Sequence, residues 1–139
     1  MYDQWYQTVS AATTEANRLR VKLPISLGRL TSVAIYFPPG CHSLIKCRVF
    51  LGEKPVFPRS SGSYVAGNAG TVSSGIMDED ISPNLPVLHL EIWNDDEEMS
   101  HTVSIAANWI SFEEGERERT LLSAIVDSIN RLTLRLGGY

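Results

Sequence analysis

Residues 18–27 read RLRVKLPISL, and this stretch decides the fold class. Leu19, Val21, Leu23, Ile25 and Leu27 alternate with Arg18, Arg20, Lys22, Pro24 and Ser26. Successive side chains of a pleated strand point to opposite faces, so a period of two predicts a strand with one buried and one wet face. Pro24 has no N–H to give a ladder and marks an edge position or a bulge. Gly28 permits a turn.

The same period recurs downstream. In Leu30 to Phe37, the residues Thr31, Val33, Ile35 and Phe37 share a face, and Pro38-Pro39-Gly40 ends the run. Leu44 to Leu51 predicts a third strand, with Ile45, Cys47, Val49 and Leu51 inward and Lys46, Arg48 and Phe50 outward. Pro55 and Pro58 bracket a short extended piece. Residues 59–75 are rich in Gly and Ser and read as a long surface loop. Val87 to Trp93 predicts a strand with Leu88, Leu90 and Ile92 inward and His89, Glu91 and Trp93 outward. His101 to Ile110 places Val103, Ile105, Ala107 and Trp109 on one face. Two alternating runs joined by the polar loop 94–98 read as a β-hairpin. Many short strands with Gly and Pro turns predict an antiparallel β-sandwich, jelly-roll-like, within a mainly β chain.

The two ends depart from this period. Residues 1–17 mix Tyr2, Trp5 and Tyr6 with polar residues and are expected to form an arm or a short helix. From Ser111 the pattern becomes helical. Leu122, Ile125, Val126, Ile129, Leu132 and Leu136 recur at spacings of three and four, the mark of an apolar stripe. Ser111 and Glu114 have capping-box spacing, and Gly137-Gly138 supplies a stop. The expected organisation is an arm at 1–17, a sandwich at 18–110 and a C-terminal amphipathic α-helix at 111–139. A sandwich that fills its own core leaves that stripe to be covered elsewhere, which favours an oligomer.

Composition narrows the function classes. With 139 residues and 43% hydrophobic content, the chain can bury a core and is not expected to be disordered. A net charge of −4 gives no footprint for nucleic acid. No run reaches the roughly 18 apolar residues of a membrane span. The first residues lack a basic start followed by an apolar run, so no signal peptide is expected and synthesis in a cytoplasm is. Cys41 and Cys47 sit six apart, which is neither a CxxC pair nor a disulfide framework, and read as two free thiols, with one short-loop disulfide across a turn as the alternative.

Candidate chemistry is sparse. Asp95, Asp96, Glu97 and Glu98 offer oxygens but lack the spaced acidic pattern and the Gly of a calcium loop. His42, His89 and His101 have no metal-ligand spacing, so neither a metal nor another cofactor is expected. Cys41 beside His42 invites a thiol nucleophile, but adjacent residues of an extended chain point apart. There is no GxSxG elbow, P-loop or dinucleotide fingerprint. The expectation is a protein that is not an enzyme. Trp93, Trp109 and Tyr64 keep a carbohydrate-binding module as the alternative, since they can form a stacking platform.

Two segments carry a resemblance. LGRLTSVAIYFPPGCHSL at 27–44, and LEIWNDD at 90–96 followed by SHTV at 100–103, resemble small β-sandwich proteins encoded among phage and prophage structural genes. The resemblance covers roughly residues 18–110, and its motifs are turns and strands. It implies a virion protein of capsid decoration, vertex or head-fibre-base type, assembling with itself and with other virion proteins. It carries over no catalytic, cofactor or metal residue. The expected contact residues come from the pattern: Tyr2, Trp5, Tyr6, Phe50 and Trp93, with Leu122, Ile125, Val126, Ile129, Leu132 and Leu136 of the helix.

Overall fold

A computed structural model describes residues 1–81, 87–111 and 122–132. The alternating runs within 18–27, 30–37, 44–51, 87–93 and 101–110 form strands, and further strands lie outside them. In chain order the strands among the described residues are β1 (Tyr2–Val9), β2 (Leu19–Leu23), β3 (Gly28–Phe37), β4 (Ile45–Leu51), β5 (Lys54–Phe57), β6 (Val65–Ala66), β7 (Gly70–Ser73), β8 (Glu79–Ile81), β9 (Leu88–Asn94) and β10 (His101–Ser111). A helix, α1, spans 122–132.

Two antiparallel sheets face each other. The first runs β1-β10-β3-β7, with β8 also on β3; the second runs β2-β9-β4-β5, with β6 also on β4. Counting β5 with β6 and β7 with β8 leaves eight strand positions, ordered 1-8-3-6 and 2-7-4-5, which is the jelly-roll order. The chain is therefore an antiparallel β-sandwich of jelly-roll topology.

The inward sets close the core. Val33, Ile35, Phe37, Ile45, Cys47, Val49, Leu88, Leu90, Ile92, Val103, Ile105 and Ala107 are all fully buried in one cluster. Each such Leu, Ile or Val contributes about 2 kcal/mol by leaving water. Val21 and Ile25 pack against that cluster from its edge. Leu19 and Leu27, expected inward, are 37% exposed each, because β2 ends before Pro24 and pairs only with β9.

Several expectations are corrected. Residues 2–9 are neither arm nor helix: β1 pairs along its whole length with β10. The first sheet therefore includes residues 2–9 of the 1–17 segment expected as an arm. Residues 88–111 are not a hairpin: β9 lies in the second sheet and β10 in the first, so their connection crosses the sandwich. The Gly- and Ser-rich stretch 59–75 holds both β6 and β7. In β3, Leu30 rather than Thr31 faces inward. Ser32 pairs with Asn108 and Leu30 with Trp109, so Thr31 is an extra bulged residue, and its hydroxyl donates to the Asn108 carbonyl at 3.0 Å. Gly28 starts β3 rather than turning the chain. Its φ is +153°, and a β-carbon there would stand 1.9 Å from the Ile110 carbonyl oxygen.

Beyond β10, the expected cap partner Glu114, the stop at 137–138 and Leu136 lie outside the described residues.

Candidate functional site

The two outer faces of the sandwich differ in chemistry. On the second sheet, Lys46, Arg48 and Phe50 of β4 stand beside Trp93, Glu91 and His89 of β9 through the register Lys46–Trp93, Arg48–Glu91 and Phe50–His89. Expected to point into water, Glu91 and Trp93 are 6% and 2% exposed. Arg18 and Arg48 each donate an Nε–H to the same Glu91 oxygen, both at 2.9 Å. Burial alone would raise the Glu91 carboxyl; the hydrogen bonds from Arg48 and Arg18 outweigh it and hold the group below its ordinary value.

The Arg48 guanidinium also lies 5.1 Å from the Trp93 ring centre and 5.9 Å from that of Phe50. The Tyr64 ring meets Trp93 edge to face with centroids 5.7 Å apart. Lys46 sits 5.2 Å from the Tyr64 ring centre and donates to Asp95 at 2.6 Å. Charges and rings on this face are thus engaged with one another. Trp93 is covered by its own chain and offers no contact to a neighbour, and Phe50 is half-buried.

The acidic loop is likewise occupied. Asn94, fully buried, donates through Nδ2 to the carbonyls of Val9 at 3.3 Å and Met99 at 2.9 Å. Its Oδ1 accepts from the Asp96 N–H at 2.8 Å. Asp96 accepts from the Glu98 and Met99 amides at 2.9 and 3.1 Å and pairs with His101 at 2.9 Å. The His101 contact, then those two amides, hold the Asp96 carboxyl below its ordinary value. Asn94 and Asp96 thus serve to fix the crossing between sheets. No group of three or more His, Cys, Asp or Glu is placed to hold a metal ion among the described residues.

The FPPGC turn is also architectural. His42 and Ser43 both have left-handed φ, 47° and 60°, and the Leu44 N–H closes the turn on the Cys41 carbonyl at 2.8 Å. The Asn68 side chain accepts from the Gly40 and His42 amides at 3.0 and 3.1 Å. Cys41 is buried and His42 exposed, so the two face apart. Burial raises the Cys41 thiol, with Asp96 adding to it, and burial drives the Cys47 thiol far above its ordinary value. Both cysteines are unbonded and buried, the opposite of an activated nucleophile.

The first sheet turns out a different surface. Register places Tyr2, Gln4 and Tyr6 of β1 beside Asn108, Ala106 and Ser104 of β10, and these beside Ser32, Ala34 and Tyr36 of β3. Thr71 of β7 stands next to Tyr36. None of these ten residues is charged. Tyr2, Tyr6 and Tyr36 are 60%, 71% and 43% exposed. Gln4 donates to the Ser104 hydroxyl at 2.5 Å, and Asn108 to the Ser32 hydroxyl at 3.0 Å. A trough of about 320 Å³ lies over the centre, with Ala106 and Ala34 in its floor. Sequence reasoning picked out Tyr2 and Tyr6 but not this surface, because four distant segments build it. Trp5 of β1 points the other way and packs against the core. Trp109 is 4% exposed and donates through Nε1 to Ser26 at 2.8 Å. Trp109 thus lies in the core cluster while Trp93 and Tyr64 meet on the second sheet, so the three aromatics of the alternative reading do not form one stacking platform.

The third candidate is α1. Leu122, Ile125, Val126, Ile129 and Leu132 are each between 53% and 63% exposed. Their apolar stripe is thus more than half exposed. No helix among the described residues is long and apolar enough to cross a membrane. Comparison with protein-family models and with curated proteins finds no match.

Proposed function

We propose that this protein is a non-enzymatic assembly subunit that works by binding copies of itself, as a virion component of decoration, vertex or head-fibre-base type. The observation that carries the reading is the exposed stripe of α1. Leu122, Ile125, Ile129 and Leu132 follow spacings of three, four and three, which is the a/d order of a coiled coil, and Leu136 continues it in the sequence. Such a seam is self-complementary, so the partner it fits is the same helix from another copy. Jelly-roll topology supports the virion setting, since viral capsid domains commonly use it, although lectins and other proteins share it. The resemblance of the 27–44 and 90–103 segments to phage structural proteins supports it from the sequence side.

The test is light scattering at micromolar concentration. The expected mass is an integral multiple of 15.4 kDa. Ile125→Asp with Ile129→Asp reduces it to the monomer while the β-sheet circular dichroism persists. A wild-type chain that is monomeric throughout ends the assembly reading. A gene position beside a portal or major capsid gene supports the virion setting, and a position among unrelated metabolic genes counts against it.

A further inference from the structure

We propose that the outer face of the first sheet is a binding site for a neutral oligosaccharide, seated in the trough over Ala106. The argument starts from charge. One residue in five of this chain is charged, yet the residues that line the trough on β1, β10, β3 and β7 carry none, and Arg29, further along β3, is paired with Asp78 and Asp80. An anionic or cationic ligand finds no counter-charge there, and a neutral one loses nothing by it.

Shape comes next. Ala106 on the central strand is flanked by Gln4 and Ala34, so the floor is low where the three strands run side by side. Tyr2 and Tyr36 stand at diagonal corners, two strands and two rows apart, about 16 Å from backbone to backbone on ordinary strand spacing and rise. The trough, about 320 Å³, is at the small end of the range for ligand sites. A short chain of sugar rings spans such a diagonal; a single ring does not.

Chemistry selects the class. Tyrosine rings have an electron-rich face, which attracts the polarised C–H face of a pyranose. Between the tyrosines stand amide and hydroxyl groups. Gln4 and Asn108 each spend one N–H on a neighbouring serine, which fixes the amide plane and leaves a second N–H for a ligand. A polyhydroxylated ligand satisfies these groups, whereas an apolar helix laid in the trough strands them without partners. Tyr2 is tied to the same network, its hydroxyl donating to Gln4 at 3.3 Å. Little side-chain freedom is then left to lose on binding.

The test uses the full chain against a panel of neutral hexasaccharides with gluco, manno, galacto and xylo backbones, plus acidic alginate and hyaluronan fragments. Binding is followed by calorimetry. The expected result is binding of at least one neutral hexasaccharide and of no acidic fragment. Tyr36→Ala weakens it about tenfold, equivalent to about 1.4 kcal/mol, and Ala106→Arg abolishes it. Both variants keep the wild-type mass and melting temperature. The Ile125→Asp, Ile129→Asp double variant keeps the binding site while losing the oligomer, so this proposal and the assembly reading fail separately. Silence of the whole panel overturns the saccharide site. Binding of acidic fragments alone also overturns it, as does binding that survives both variants. A drop in oligomer mass for Ala106→Arg without any saccharide hit overturns it too, and makes the face a contact between copies.

Discussion

The two outer faces of this sandwich are made from strands of the same period, but their side chains are spent differently. On the β9–β4 face, Glu91 takes two arginines, Arg48 lies against two rings, and Trp93 is 2% exposed. Most polarity there is consumed inside the chain and contributes to stability; the buried Nδ1 of His89, with no hydrogen-bond partner among the described residues, is the exception. On the β1–β10–β3 face, tyrosines stay exposed and the amides keep donors in reserve. Little of that surface holds the fold together. An outward position thus reveals its purpose by whether its neighbours already satisfy it.

The sharpest way to break this contrast is to compare truncations on the two faces. Trp93→Ala removes a buried indole and is expected to cost about 4 kcal/mol in urea denaturation. Tyr6→Ala, an equally drastic change in chemistry, is expected to stay within about 0.5 kcal/mol. Equal losses would abolish the distinction.

Next in size is Glu91→Gln, which leaves Arg48, only 11% exposed in its side chain, with only the exposed Glu15 carboxylate at 3.7 Å as counter-charge. The expected loss is about 3 kcal/mol. Adding Arg48→Met should recover part of it, because Arg18, at 38% exposed, can turn to water.

A smaller and more graded effect is expected with acid. The carboxyls of Glu91 and Asp96 are both held below their ordinary values in the folded chain. Their contribution is complete above the unfolded carboxylate range, near pH 4, and is lost as the pH falls through the lower folded values. Acid titration of Glu91→Gln should therefore be flatter than that of the wild type. Tyr36→Ala and Ala106→Arg should follow the wild-type curve. The smallest signal expected is thiol labelling: in the native chain Cys41 and Cys47 react negligibly, and both react once the chain is unfolded.

Much of the core was legible in the sequence because it rests on local alternation. Ile45, Cys47, Val49 and Leu51 face inward as expected, as do Val103, Ile105, Ala107 and Trp109. What failed depends on neighbours. Strand β1 was hidden because its inward set, Asp3, Trp5, Gln7 and Val9, is as mixed as its outward set. Glu91 and Trp93 occupy outward positions by period, and only Arg18, Arg48 and Tyr64, distant in sequence, cover them. The crossing after β9 resembled a hairpin loop because nothing local distinguishes the two; Asn94 and Asp96 decide it through contacts with Val9 and His101. The uncharged face could not be read at all before residues 2–6, 32–36, 71 and 104–108 were known to lie side by side.

The pairing of β1 with β10 also governs the order in which the molecule can form. Tyr2 meets Asn108 and Val9 meets His101, so the first strand has no ladder until about a hundred further residues have left the ribosome. Of the connections, β4 to β5 is a tight hairpin on adjacent strands, while the crossings between sheets demand contacts far apart along the chain. Chains dominated by such contacts fold slowly, over milliseconds to seconds, because long loops must close before they are rewarded. During that wait the Tyr2–Val9 segment is an unsatisfied edge. Closure of the first sheet therefore waits for β10, and crowded nascent copies are most exposed to mispairing just before that strand arrives.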